Sequence, residues 1–162
     1  MKKAETSFVM NFTLPVEAKE LFTFLALPEN MILYTGFLLV PGIKNVVSSD
    51  AVRKVGTIDN VFNNDGSSHD SQTVVFDFGQ RYSLELGNIK MSGLKSKLVT
   101  PIIGFKEDWI LTPMGNTTAV KRSIDIIYKK GLFNDLFVKC FVTPQLYLSF
   151  VKHHQNIAKK FA

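Results

Sequence analysis

Hydrophobic and polar positions alternate from Ser7 to Leu14, with Phe8, Met10, Phe12 and Leu14 on one side of an extended chain and Ser7, Val9, Asn11 and Thr13 on the other. A period of two is the mark of a strand with one buried face. Pro15 then suits the first position of a helix, and VEAKELFTFLAL sets Ala18, Leu21, Phe22 and Leu25 on one helical face. Pro28 ends that helix, and PENMILY predicts a second short one before Gly36.

From Phe37 to Tyr128 the chain reads as strands separated by turns. LLVPGIKNVV is interrupted at Pro41 and Gly42, and VGTIDNVF is the next strand. The Asp65-Gly66 pair that follows predicts a two-residue turn with positive φ at both central residues. HDSQTVVFDF and RYSLEL form a hairpin about Gly79, with Phe76 opposite Tyr82 and Val74 opposite Leu84. Residues 87–100 carry no clear pattern. IIGFKEDWILT and TTAVKRSIDIIYK close the strand series around Pro113 to Asn116.

From Gly131 to Ala162 the spacing becomes helical. Phe133, Leu136, Phe137, Cys140, Phe141, Tyr147, Leu148, Val151, Ala158 and Phe161 recur in an i, i+3, i+4 phase that predicts one long helix, roughly 45 Å, lying across a sheet. Phe137 and Leu148 are expected to be buried against that sheet. Pro144 predicts a kink, or a break at which Thr143 caps the second half. Strand, two helices, about six more strands and a long final helix amount to an α+β chain: a curved antiparallel sheet of six to seven strands wrapped around a C-terminal helix.

Composition sharpens this picture. A chain of 162 residues with 46% hydrophobic content predicts a single domain over residues 1–162. The net charge of +5 comes from scattered lysines with no interleaved aromatic and basic pattern, so nucleic-acid binding is not expected. The single cysteine, Cys140, falls on the apolar stripe and reads as inert core. No apolar run approaches the roughly 20 residues of a membrane span, and a soluble cytoplasmic protein is expected.

LPVEAKELFTFLALPEN, YTGFLLVPGI and RKVGTIDNVFNNDGSSHD resemble the START-related helix-grip superfamily, also called SRPBCC, in its polyketide cyclase/dehydrase and lipid-transport branch. The likeness extends over nearly the whole chain and includes the strand after Gly115-Asn116-Thr117. It implies a helix-grip fold holding an apolar ligand between the curved sheet and the long helix, with no shared catalytic signature to carry over.

His69 reads as a surface histidine at a strand start, in preference to a general base oriented by Asp70. His153 and His154 are adjacent on a helix, about 100° apart, and cannot share a metal as an i, i+4 pair can; they read as part of a solvated basic face with Lys152, Lys159 and Lys160. No metal site and no cofactor are expected. Tyr34, Phe37, Phe76, Tyr82, Phe105, Trp109, Tyr147 and Val151 are candidate cavity-lining residues. Taking Met114-Gly115 as a hairpin tip places Glu107 opposite Arg122, Trp109 opposite Val120 and Phe105 opposite Ile124. That face looks inward and carries an ion pair into an apolar wall, either a structural pair or a grip on a ligand acid group. Three functions of different classes stand open. The first is a carrier or binding protein for a small hydrophobic molecule of lipid, polyketide or isoprenoid type, its entrance near the Tyr34 to Pro41 segment. The second is a cyclase or dehydratase acting in the same cavity, and the third a module in peripheral contact with an anionic membrane through its basic last helix, or with a partner protein.

Overall fold

A computed structural model describes residues 2–92 and 101–162. The alternating stretch forms β1 (Lys3–Leu14), followed by α1 (Ala18–Leu25) and a short 3-10 helix (Pro28–Leu33). Strands β2 (Ile43–Ser48), β3 (Ile58–Asn63), β4 (Ser68–Asp77), β5 (Arg81–Lys90), β6 (Ile102–Met114) and β7 (Thr117–Lys129) follow in a meander. The seven strands make one antiparallel sheet in the order β1-β7-β6-β5-β4-β3-β2. The first strand therefore lies beside the last, and the sheet curls around the helix that completes the chain. Part of the unpatterned stretch belongs to β5, which runs to Lys90; residues 93–100 lie outside the described residues.

The final helical run spans 29 residues from Leu132 to Lys160, as α2 (Leu132–Phe137), a π turn (Val138–Val142) and α3 (Thr143–Lys160). Pro144 brings neither a break nor a Thr143 cap: the π turn widens the helix ahead of the ring, and the Thr143 backbone N–H and hydroxyl both donate to the Val138 carbonyl.

The buried side of this run is not the one that apolarity alone selects. Val138, Val142, Leu146, Ser149, Phe150, His153, His154 and Ile157 face inward, while Leu132, Phe133, Leu136, Cys140, Phe141, Tyr147 and Leu148 are exposed. Cys140 is thus a surface thiol, and the two histidines are core residues. Three polar residues sit on the inner stripe because each has a buried partner there, and they rotate the helix away from its most apolar face.

Three local expectations are corrected in the same way. α1 starts at Ala18, with Pro15 three residues upstream of it. Only Gly66 takes positive φ at the β3–β4 turn; Gly66 N–H donates to Asn63 O and Asn63 N–H to Ser67 O, so the loop has three residues and a glycine bulge, with the Asp65 carboxylate accepting from the Ser67 N–H and hydroxyl. Phe76 faces Tyr82, but a bulge between Thr73 and Val75 sets Thr73, not Val74, opposite Leu84.

Two clusters hold the layers together. Leu14, Leu21, Phe22, Trp109 and Ile157 close one end, and Met10, Ile124, Ile126, Val138, Leu146 and Phe150 close the other. Phe150→Ala is expected to cost about 3 to 5 kcal/mol in urea denaturation, whereas Leu148→Ala, at a position 45% exposed, should leave the midpoint almost unchanged.

Candidate functional site

The β6–β7 hairpin turns at Gly115-Asn116, with Gly115 at φ 66 and Met114 opposite Thr117. Positive φ at the first central residue only is the II′ arrangement, which matches the twist of the strands. This sets the register two residues from the expected one: Trp109 faces Arg122, Glu107 faces Ile124 and Phe105 faces Ile126. A shift of two keeps every side chain on its face. Glu107 and Arg122 become diagonal neighbours on the inner wall and still meet.

Arg122 is 1% exposed. Its Nε donates to Glu107 Oε1 at 2.8 Å and Nη2 lies 2.6 Å from the same oxygen, which also accepts from Trp109 Nε1. Its Nη1 reaches His153 Nδ1 at 3.1 Å and His154 Nε2 at 3.0 Å. A guanidinium only donates, so both ring nitrogens accept; the histidines are neutral, with their protons on His153 Nε2 and His154 Nδ1. The rings of Trp109 and Phe150 lie 4.2 and 3.9 Å from the guanidinium carbon. Burial, reinforced by the Arg122 charge, holds His153 well below the ordinary histidine range and pushes His154 down to about 2.

The end of the 3-10 helix and the segment after it are tied to the C-terminal helix by three contacts. Ser149 donates to Leu146 O, so the Tyr34 hydroxyl donates to Ser149 Oγ at 2.5 Å; Leu39 N–H donates to Gln145 Oε1 and Asn156 Nδ2 to Leu33 O, both at 2.9 Å. Burial raises the Tyr34 phenol well above its usual range, so it stays a donor. Beneath the segment lies a cavity of about 200 Å³ between the helix and the concave sheet. Its walls include Met31, Leu84, Leu86, Ile89, Phe105 and Ile124.

Tyr34, Tyr82, Phe105, Glu107, Trp109 and Arg122 all line this space, whereas the four other candidates lie outside it. Phe37 makes a backbone bridge to Val40 within the covering segment, and Phe76 packs edge-on against Phe22 in the core. Tyr147 and Val151 stand on the side of α3 toward β1, where Tyr147 meets Phe8, because the helix is rotated from its expected phase.

The structure adds wall residues that the sequence reading passed over, among them His153, Phe150, His69 and Arg53. His69 is half-buried on the cavity wall, and burial, opposed by Asp70, lowers it to about 4. Arg53 lies in the β2–β3 connection and forms a buried pair with Asp59 at 2.5 Å, donating also to Leu25 O at 2.8 Å and to Met31 Sδ. Among the described residues, no group of three or more histidine, cysteine or acidic side chains is placed to hold a metal ion, and no helix is long and apolar enough to cross a membrane.

No family model matches the sequence, and no curated protein matches it. Solved structures do match the fold. Truncated norcoclaurine synthase from Thalictrum flavum superposes with a TM-score of 0.66 at 14% identity, over 98% of this chain and 94% of that one. Ginseng major latex-like protein 151 from Panax ginseng gives 0.66 at 10% identity over 97% of each chain. Ara h 8.0201 gives 0.59 at 14% identity over 96% of this chain and 99% of that one. The chain has the helix-grip fold that its sequence resembles.

The buried histidines couple stability to pH. Their folded pKa values lie below the unfolded value of about 6.5, so their contribution is complete above that pH and is lost as pH falls. The urea midpoint is expected to hold above pH 7 and to drop steadily between about pH 6.5 and 4, each histidine adding up to about 1.4 kcal/mol per pH unit. Replacing His154 by Gln should make that decline shallower.

Proposed function

We propose that this protein binds a small hydrophobic molecule, of lipid, polyketide or isoprenoid type, in the cavity between the sheet and the C-terminal helix. The observation that carries this reading is the contrast between the cavity's apolar wall and the polar groups beside it. Glu107, Arg122, His153 and Tyr34 all reach the space, yet their hydrogen bonds are made to one another and to Ser149, Trp109 and His154.

A catalytic site of the cyclase or dehydratase kind needs polar groups free to act on a substrate at reaction distance. One structural neighbour is a synthase, so the fold accommodates catalysis. In this chain the charged and histidine groups around Arg122 are satisfied by one another, which favours binding over turnover. Arg122 and Glu107 then serve to hold helix to sheet, not to grip a ligand carboxylate. The covering segment from Tyr34 to Pro41, tied to the C-terminal helix by the Tyr34–Ser149 and Leu39–Gln145 hydrogen bonds, is the natural gate.

A ligand that binds only the folded state stabilises it by about 2.7 kcal/mol at a hundredfold excess over its dissociation constant. Thermal melts against fatty acids, quinones, isoprenoids and aromatic polyketides should show at least one class raising the midpoint by several degrees. A flat response to the whole panel would remove the basis for this function.

A membrane-contact reading has an observation of its own, at the other end of the helix from the one the sequence suggests. Leu132, Phe133, Leu136 and Phe141 are exposed at the start of the helical run, with Lys130 and Lys139 exposed among them. Apolar side chains flanked by lysines suit the boundary of an anionic bilayer. Co-sedimentation with phosphatidylserine vesicles should exceed that with phosphatidylcholine vesicles, and Phe133→Ser with Lys139→Glu should abolish the difference.

A further inference from the structure

Between Asn63 and Thr73 the chain has no apolar side chain, yet this stretch supplies Asn63, Asp65, Ser67 and His69 to the cavity wall. Asp59 on β3 lies opposite Ser71 on β4, Thr73 follows on the same face, and Tyr82 on β5 stands beyond Leu84, which faces Thr73. Asp59, Ser71 and Thr73 have no exposed surface and Tyr82 has 3%. Asp59 Oδ1, Ser71 Oγ, Thr73 Oγ1, Tyr82 OH and His69 Nε2 are all enclosed, and none makes a hydrogen bond of ordinary geometry among the described residues, the Thr73 hydroxyl and the Tyr82 phenol being near neighbours.

Enclosed polar groups are nearly always paired, because leaving them unpaired after removal from water is costly. Five on this part of the wall form a group, and they contrast with the neighbouring part around β6, β7 and the helix, where Arg122, Glu107, His153 and His154 answer one another's hydrogen bonds. The Arg53 pair takes up Asp59 Oδ2 and leaves Oδ1 open. Two of the five residues, Tyr82 and His69, line the cavity itself.

We infer that this wall is a polar subsite for the hydroxyl-bearing edge of an uncharged ligand whose apolar body fills the rest of the cavity. A carboxylate oxygen accepts only, and each hydroxyl on the wall can both donate and accept, so the complementary group is itself an alcohol or phenol. Asp59 and Glu107 disfavour an anion, and Arg53 and Arg122 disfavour a cation. The ligand meets Tyr82 and His69 directly, with Ser71, Thr73 and Asp59 supporting from behind. This inference rests on the cavity being a ligand site, and it adds which chemistry the ligand presents and to which strands.

The uncharged fluorescent probe N-phenyl-1-naphthylamine reports on the cavity, and naphthalene and 2,7-dihydroxynaphthalene compete for it. In the wild-type protein the ratio of the two competitors' affinities is expected to favour the diol about tenfold more than it does in Ser71→Ala/Thr73→Val or in Tyr82→Phe, each measured by displacement of the probe from that same variant. The ligand-free double variant should also melt at a higher temperature than wild type, since unpaired polar atoms have been removed from its interior. An unchanged ratio in both variants, with the probe still bound, overturns the subsite and leaves the cavity standing; a lower melting temperature for the double variant shows that its hydroxyls are structural and overturns it as well. Failure of the probe to bind the wild-type protein would overturn the cavity reading and the subsite with it.

Discussion

The buried guanidinium of Arg122 fixes the rotation of the C-terminal helix. A cation with five donors and no acceptor cannot be left half-paired inside a protein, and its partners come from two layers: Glu107 and Trp109 from the sheet, His153, His154 and Phe150 from the helix. Once the two histidines point at the sheet, Leu146, Ser149 and Phe150 must do so too, and Tyr147 and Leu148 must point away. Ser149 then meets Tyr34 and fixes the segment over the cavity. One ion pair on β6 and β7 thereby settles where the helix, the covering segment and the space between them lie.

The same cluster explains what could be read in advance. Strand alternation in β1, the turn residues of the meander and the helical spacing after Gly131 carry strong periodic signals, and they gave the architecture. Face parity on β6 and β7 also came through, since an error of two residues in the tip of a hairpin leaves each side chain on its side of the sheet. The Gly115-Asn116 pair itself held the missing signal, a glycine at the first central position. The helix phase was not legible. A stripe chosen for apolarity prefers Phe133, Phe141 and Leu148 to Ser149, His153 and His154, and only the buried partners of those three reverse the choice. The cavity wall divided in the same way: the aromatic residues Tyr82, Phe105 and Trp109 on β5 and β6 and the Glu107–Arg122 pair were visible from the pattern, while Tyr147 and Val151 went astray with the helix. The polar wall on β3 and β4 left a trace in the sequence, the run from Asn63 to Thr73 without an apolar residue where an inner strand face was due.

The cavity is therefore bounded by two kinds of polar chemistry. On the Arg122 side, hydrogen bonds are closed and the groups act as a fastening between layers. On the β3–β4–β5 side they are open, at positions where an apolar residue would pack with less strain on the balance of stability. Natural sequences depart from their own most stable solution mainly where something other than folding sets the residue.

The order of strands has a consequence for how the chain reaches this state. Among the described strands β1 pairs with β7 alone, Lys3 beside Lys129 and Leu14 beside Thr118, so β1 is synthesised well before its partner and has none until β7 has followed it. The hairpins from β2 to β5 can close locally within that time, whereas β1 waits with Phe8, Met10 and Phe12 uncovered. Folding of such a sheet is governed by one long loop closure, slow for its size, and the exposed edge of β7 is open to the β1 of another copy for as long as that closure takes.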